Sequence, residues 1–149
     1  MAYMGLETIN LSDYVSPEPI NRNFAKLDPL GLDYVISRGT SGDWWFRKWK
    51  SGRLECGVDF RDFGDQAAVN WHGWFATKNY LNFGAYPQAF RSKPFVMITY
   101  MGDARNSNRS SFVFQRANTS TTRSPDFYLC DVTNATWRPY CGIYVCGNV

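Results

Sequence analysis

With 149 residues and a net charge of +3 spread along the chain, the protein has the size of one domain and lacks the clustered basic footprint typical of nucleic-acid-binding proteins. Aromatic residues make up 17% of the sequence and lie among Gly, Asn, Ser and Thr, which favours half-buried β-strands joined by polar loops. No run approaches the roughly 20 apolar residues that cross a bilayer, so we expect no membrane insertion.

The start of the chain, residues 1–7, lacks a basic region followed by an apolar stretch, so we expect no signal peptide and folding in a reducing cytoplasm. In that compartment cysteines are usually buried free thiols. This expectation applies to Cys56, Cys130, Cys141 and Cys146. Because the sequence has no C-x-x-C pair, we expect no metal and no cofactor.

The first part of the chain, residues 1–41, is predicted to be an attachment and oligomerisation segment. Ser16 and Pro17 have the pattern of a helix start, and Phe24 and Leu27 continue it at helical spacing. The apolar stripe of so short a helix needs a partner, which is either the domain itself or the same segment of neighbouring chains. Residues 33–36 then form a short strand or the tail of a linker.

The remainder, residues 42–149, is predicted to be a β-sandwich domain, because apolar residues recur there with a period of two. Residues 44–49 and 53–60 form a hairpin that turns at 50–52. The returning strand alternates, with Leu54, Cys56, Val58 and Phe60 on one face and Arg53, Glu55 and Asp59 on the other.

Six further strands are predicted before the end of the chain. They lie near residues 69–76, 80–85, 95–101, 111–117, 126–133 and 140–146. About eight short strands separated by turn signals indicate an antiparallel sandwich or barrel, and we take the sandwich as the fold class.

The strand at residues 44–49 carries rings on both faces. Trp45, Arg47 and Trp49 share one face, while Trp44 and Phe46 point to the other. One interpretation is an exposed platform for stacking sugars. The other, which we favour, is a strand covered on both sides, with a second subunit as the outer cover and Arg47 stacked on the tryptophans.

Residues 39–56, with Trp44-Trp45-Phe46-Arg47-Lys48-Trp49, then Ser51-Gly52 and Glu55-Cys56, resemble a stretch of tail-fibre and minor tail proteins from phages and prophages of Gram-positive hosts. There a strand of the type W-x-[YF]-R-K-W turns at S-G and returns through E-C. Residues 24–35, 83–87 and 90–98 are similar to other parts of the same proteins. Many of those proteins have Trp after the Cys, where this chain has Gly57.

The resemblance implies a homotrimeric β-sandwich that is assembled in the host cytoplasm and located in the virion tail. The implied partners are further copies of the chain, other tail or baseplate proteins, and a bacterial cell-surface carbohydrate. The expected subunit interface contains Phe24, Leu27, Trp45, Arg47 and Trp49. A purely structural tail or baseplate component is the alternative.

Two long polar connections, residues 102–109 and 118–125, are the candidate recognition loops, unless their polarity serves only solubility. Their side chains can exchange hydrogen bonds with sugar hydroxyls, and loops on a rigid scaffold commonly carry function. Tryptophans near irregular segments, including Trp137, could add a stacking ring. The candidate ligand-binding residues are Asp103, Arg105, Asn106, Asn108, Arg109, Asn118, Thr121, Arg123, Trp71 and Trp74.

No catalytic site is recognisable in the sequence. His72 is the single histidine, and no nucleophile motif of the type G-x-S-x-G accompanies it. Asp59, Asp62 and Asp65 form an acidic cluster, which is typical of a solvated loop or a weak cation site. A glycan depolymerase is a further alternative, since two such carboxyl groups could flank a glycosidic bond if their geometry allowed it.

Overall fold

The computed structural model describes Arg22, residues 31–106, Arg109 and residues 111–149. The chain divides into two compact units, Met1–Tyr34 and Val35–Val149. Apart from Arg22, the segment predicted as a helix lies outside the described residues. The predicted interface residues Phe24 and Leu27 lie outside the described residues as well.

Nine strands form in the described part of the second unit, and they build two antiparallel sheets. The strands are β1 (Val35–Ser41), β2 (Trp44–Trp49), β3 (Arg53–Asp62), β4 (Ala68–Trp71), β5 (Trp74–Thr77), β6 (Phe95–Asp103), β7 (Phe112–Gln115), β8 (Phe127–Asp131) and β9 (Pro139–Asn148). One sheet has the order β1-β2-β3-β9-β6 and the other the order β4-β5-β8-β7. The prediction of a mostly β chain with antiparallel strands is confirmed.

Three strand predictions need correction. The strand expected at 69–76 is two strands, because His72 and Gly73 both adopt positive φ, at 52° and 89°, and turn the chain in the manner of a tight hairpin. Residues 80–85 make only the isolated bridges of Leu81 with Phe127 and of Ala85 with Arg123. Residues 33–36 were expected to be a short strand or the tail of a linker. A longer strand, β1, begins at Val35 and pairs with β2 in the five-stranded sheet.

A bulge in β3 changes which side chains face the core. The register of β3 with β9 shifts between Val58 and Arg61, and a bulge inserts a residue that displaces the alternation beyond it. Phe60 was predicted to share the buried face with Leu54. It is instead 56% exposed, and its ring lies 4.6 Å from that of Tyr140 on the outer face.

Both sheets contribute to one apolar core. The residues buried there include Leu54, Cys56 and Val58 of β3, Cys141, Ile143 and Val145 of β9, and Phe127 and Leu129 of β8. The connection before β6 adds Phe83, whose ring stacks on that of Phe127 with centroids 5.8 Å apart. Burial of such rings is the main favourable term in folding, at about 25 cal/mol per Å² of apolar surface.

The β2–β3 hairpin divides its tryptophans between the two faces, as its alternation predicts. Trp44 is buried in the core, where its ring lies 5.5 Å from that of Tyr86. Trp45 lies on the outer face, above Gly57 of the neighbouring strand. A Cβ atom at Gly57 would approach the ring of Trp45 to 2.8 Å and the carbonyl oxygen of Ile143 to 2.6 Å. Glycine is therefore what lets this indole lie flat against the sheet.

The four cysteines are free thiols, of which Cys56, Cys130 and Cys141 are buried and Cys146 is partly exposed. Burial raises the pKa of Cys56 and of Cys141 to about 12. These two groups stay protonated at neutral pH, so they behave as small apolar side chains with little reactivity.

We expect Gly57→Ala to lower the free energy of unfolding by about 1–3 kcal/mol, because the new methyl group must displace backbone and an indole ring. Gly39→Ala is the matched control, since its Cβ in edge strand β1 would meet only the end of the Phe46 ring, at 3.3 Å. Urea denaturation of both variants measures the difference. Equal stability of the two variants would contradict the close packing of Trp45 on β3.

Candidate functional site

The outer face of the four-stranded sheet is aromatic. The residues that point away from the core along its strands are Val69, Trp71, Trp74, Phe112, Phe114 and Tyr128. Their neighbours in sequence point inward, as Val113 and Leu129 do when they pack in the core. Because side chains alternate along a strand, the sequence places rings on the solvent side, where an antiparallel sheet usually carries polar residues.

Contacts between these rings hold them in place. Trp71 lies edge-on to Phe114, with centroids 5.2 Å apart, and Trp74 lies edge-on to Phe112 at 5.3 Å. The ring of Trp71 is also 6.3 Å from that of Tyr128. Edge-to-face pairs of this kind stabilise ring positions by about 0.5–1.5 kcal/mol each. The surface is therefore preorganised, although its rings remain accessible.

A groove of about 340 Å³ crosses this face, and we call it the aromatic groove. Ala76 lies among its lining residues, in the middle of β5, and is paired with Cys130 of β8. These two small side chains leave space between larger neighbours. Trp71 reaches over the gap from one side, and Phe114 and Tyr128 line the other.

Two cations lie at one end of the aromatic groove. Lys78 follows the last residue of β5, and Arg116 follows the last residue of β7; both line the groove. Within the described chain neither side chain forms an ion pair. The guanidinium group of Arg116 lies 6.0 Å from the ring centroid of Tyr80. The groove thus combines ring faces with positive charge.

In the first candidate loop, two of the expected ligand contacts are buried. Arg109 forms ion pairs with Asp103 and Asp131, each at 3.4 Å, and its guanidinium group lies 5.1 Å from the ring of Trp137. The side chain of Arg109 is 4% exposed and that of Asp103 is fully buried. These groups hold the loop against the domain, and Trp137, which is also fully buried, is part of that packing.

The other members of this loop are closer to solvent. Arg105 is half exposed and donates from Nε to Asp65 at 2.9 Å. Asn106 is exposed, and Asn108 lies outside the described residues.

The second candidate loop is fastened by hydrogen bonds. Asn118 donates to the carboxylate of Asp126 at 2.6 Å and accepts from the Asp126 backbone N–H at 2.9 Å. The carbonyl group of Thr121 accepts from the backbone N–H of Phe90 at 2.8 Å. Arg123 remains more than half exposed and lies 3.6 Å from Asp126.

The two loops do not form one surface. In the β7–β8 hairpin Phe112 pairs with Cys130, and Gln115 pairs with Phe127. The first loop leads into β7 at the Phe112 end, whereas the second connects β7 to β8 at the Gln115 end. The predicted ligand-binding residues of the first loop are thus separated from those of the second loop by the length of the β7–β8 hairpin. Trp71 and Trp74 pair with each other near the Phe112 end, and from there the ring of Trp71 reaches that of Phe114.

Several residues of the groove escaped prediction from the sequence. They are Val69, Ala76, Thr77, Lys78, Phe114, Arg116 and Tyr128. The alternation of Phe112, Phe114 and Arg116 around an inward Val113 is the signal that could have revealed a second apolar face on β7. Nothing in the sequence indicates that this face adjoins Trp71, because that contact depends on the sheet order.

The interface candidates of the hairpin are covered within their own chain. The guanidinium group of Arg47 lies 5.5 Å from the ring of Trp45 and forms an ion pair with Glu55 at 3.1 Å. Trp49 is covered by Arg53, whose guanidinium group lies 4.4 Å from its ring. Both tryptophans are half-buried as a result.

The outer face of the five-stranded sheet continues beyond Trp45 as an apolar surface, which we call the five-stranded outer face. Its most exposed members are Phe60, Phe95, Met97 and Met101, each more than half exposed. Tyr144 links them to Trp45, with ring centroids 6.2 Å apart. Unlike the aromatic groove, this surface consists mainly of flexible or isolated apolar side chains.

The acidic cluster at residues 59–65 is occupied by hydrogen-bond donors. Asp59 accepts from Nε1 of Trp45 at 2.6 Å. Arg138 donates to Asp62 and Arg105 donates to Asp65, and these hydrogen bonds are the main cause that lowers the pKa of each carboxyl group below its ordinary value. Both acids are therefore ionised and paired at neutral pH.

No family model, curated protein or solved structure matches this chain. In the described part of the chain no helix has the length and apolarity to cross a membrane. The same residues contain no group of three or more His, Cys, Asp or Glu side chains placed to hold a metal ion.

We expect Arg109→Leu to destabilise the fold by about 3–5 kcal/mol, because it leaves two buried carboxylates without their cation. Arg105→Leu removes an exposed pair with Asp65 and should cost much less, because solvent screens that pair. Denaturant unfolding of both variants gives the comparison. If Arg109→Leu is no more damaging than Arg105→Leu, the first loop is not anchored by this ion-pair network.

Proposed function

We propose that this chain is a receptor-binding component of a phage tail that binds a bacterial cell-surface glycan without catalysis. The observation that carries the proposal is the aromatic groove, with Trp71, Phe114 and Tyr128 fixed around a concave surface of about 340 Å³. Pyranose rings present faces of C–H bonds that pack on aromatic rings. Small-molecule sites typically combine such apolar surface with a few polar groups.

The proposed binding site lies on the outer face of the four-stranded sheet and not on the two loops predicted from the sequence. Of the residues expected from sequence, Trp71 lines the groove, and Trp74 extends the same aromatic surface. Asp103 and Arg109 are committed to a buried ion pair, so they support the fold. The exposed Arg123 remains available to a ligand larger than the groove.

The phage context rests on the resemblance of residues 24–56 and 83–98 to tail-fibre tip proteins. In this proposal the two sheets pack as an antiparallel β-sandwich, for which their shared apolar core is the support. The resemblance also supplies the subunit number of three, and assembly would occur with other tail or baseplate proteins.

The five-stranded outer face supports self-association. Contiguous exposed apolar surface is uncommon on monomeric proteins and marks interaction sites. Phe95, Met97 and Met101 lie on the outer side of β6, with Thr99 between the two methionines. Methionine and phenylalanine lack groups that hydrogen-bond sugar hydroxyls well, so this surface suits a copy of the chain better than a glycan.

The state of the acidic cluster argues for binding without hydrolysis. A glycoside hydrolase needs one carboxyl group with a raised pKa that donates a proton to the leaving oxygen. The arginine partners of Asp62 and Asp65 shift both pKa values in the opposite direction. His72 is an exposed residue at the tip of the β4–β5 turn.

A second candidate function is a purely structural tail or baseplate protein. The specific observation in its favour is that both sheets have apolar outer faces, since protein neighbours on two sides would cover them. In that case the aromatic groove would be filled by a protein partner, and isolated glycans would show no saturable binding.

We expect Trp71→Ala to weaken binding of cell-wall glycan fragments by at least about tenfold, which corresponds to about 1.4 kcal/mol. Phe60→Ala is the matched control, because it removes an exposed ring from the other sheet. Isothermal titration calorimetry with short soluble fragments measures single sites. Undiminished binding by a folded Trp71→Ala protein would exclude the groove, and no binding by the unmodified chain would favour the structural alternative.

We expect the unmodified chain to form trimers and Met97→Glu to shift it toward monomers, because a carboxylate in the centre of an apolar interface loses its hydration. Val132→Glu changes a more exposed apolar residue that follows β8 of the other sheet, and it should leave the trimer intact. Light scattering coupled to size-exclusion chromatography measures the mass. A monomeric unmodified chain at micromolar concentration would exclude the proposed assembly.

A further inference from the structure

We propose that the aromatic groove takes a saccharide that carries a negative charge, and that Lys78 and Arg116 determine this preference. The inference rests on the glycan binding proposed above and specifies the chemical class of the ligand. It is argued from the position of the two cations, from the lack of an ion pair at either of them in the described chain, and from the size of the groove.

Strand register places both cations on the same side of the sheet as the rings. Lys78 continues the outward series of β5 after Trp74 and Ala76, and Arg116 continues that of β7 after Phe112 and Phe114. The backbone of each position is fixed by a hydrogen bond. Lys78 N–H donates to the Ala67 carbonyl at 2.8 Å, and Arg116 N–H donates to the Asp126 carbonyl at 2.9 Å.

The positive charge of the groove is not neutralised within the described chain. The side chains that line it include neither Asp nor Glu. Asp126, just before β8, lies opposite Arg116, and its carboxylate is buried. That carboxylate accepts from Asn82 and Asn118 and lies 3.6 Å from Arg123. Two cations without ion pairs, in a groove that no acid lines, attract negatively charged ligands.

This arrangement differs from that of the arginines in and around the candidate loops. Arg105 is paired with Asp65, Arg123 with Asp126, and Arg138 with Asp62. Those guanidinium groups form ion pairs with carboxylates of their own chain. Arg116 instead lies 6.0 Å from the ring of Tyr80, so its donors remain available to an incoming group.

The combination of rings and cations specifies one kind of ligand. A pyranose ring can pack on Trp71 while a charged group on it, or on the next unit, meets Lys78 and Arg116. The guanidinium group binds carboxylates and phosphates with two parallel hydrogen bonds. A volume of about 340 Å³ lies at the small end of ligand pockets, so the groove suits a short stretch of polymer.

Two kinds of bacterial glycan supply this chemistry, namely polymers with uronic acid carboxylates and polymers with phosphodiester links. The experiment uses three ligands of similar length: an oligo-uronate, a fragment of glycerol-phosphate teichoic acid, and a neutral oligosaccharide. Calorimetry at about 50 and 200 mM salt compares their affinities for the full chain, because screening weakens charge-dependent binding.

We expect the unmodified chain to bind at least one anionic ligand about tenfold or more tightly than the neutral one. The double variant Lys78→Gln with Arg116→Gln should abolish that preference, while a folded Trp71→Ala protein should lose affinity for every ligand. The matched control is Arg91→Gln with Lys93→Gln, which removes the same charge from exposed positions before β6. It should retain the preference.

The outcomes separate this inference from the proposed function. Equal affinity for neutral and anionic ligands, with binding still dependent on Trp71, would overturn the anionic preference alone. An equal loss in the Arg91/Lys93 control would also overturn it, because the attraction would then come from net charge. No binding of any glycan, or occupation of the groove by a second copy of the chain, would overturn both.

Discussion

The pairing of β3 with β9 at the centre of the five-stranded sheet is the constraint on which the rest of the structure depends. Both strands are ten residues long, and their inward side chains are almost entirely removed from water. Once this layer is fixed, alternation between the bulges decides what faces outward on each neighbour. On β6, Val96 and Ile98 pack against the core, so Phe95 and Met97 must point away from it. Apolar outer faces are thus built into the sequence of the strands.

The two outer faces have different chemistry, and this difference separates their proposed roles. On the four-stranded sheet the rings restrain one another in edge-to-face pairs and enclose a concave groove beside two cations. On the five-stranded sheet the most exposed groups of the outer face are Phe60 and the β6 side chains Phe95, Met97 and Met101. The open depression beside Trp45 is less suited to a ligand, because the indole N–H already donates to Asp59 and Arg47 is paired with Glu55.

Local pattern was sufficient to predict the hairpin of β2 and β3, because its alternation and Ser51-Gly52 turn lie within twenty residues. It was insufficient where the decisive contact is distant in sequence. The burial of Arg109 depends on Asp131, 22 positions away, so a polar loop residue could not be recognised as part of the interior. The groove likewise requires Trp71 to meet Phe114 and Tyr128, which follows only from the order β4-β5-β8-β7. The alternation of residues 69–76 predicted one continuous strand, but the positive φ of His72 turns the chain and divides it into β4 and β5.

Assembly and recognition would not compete in the proposed arrangement, because they use the outer faces of different sheets. Subunits that associate through Phe95 and Met97 leave Trp71 and its groove uncovered. A shallow groove with a few rings and two cations gives a weak single site, since exposed charge pairs contribute little in salt. Three such sites on one rigid tip would act together on a polymeric glycan, and linked sites can exceed the affinity of one by about 10²–10⁴. In this proposal a deep pocket with high affinity for one unit is not required. An open groove can bind any short anionic stretch of a repeating polymer, and the three sites together supply the affinity.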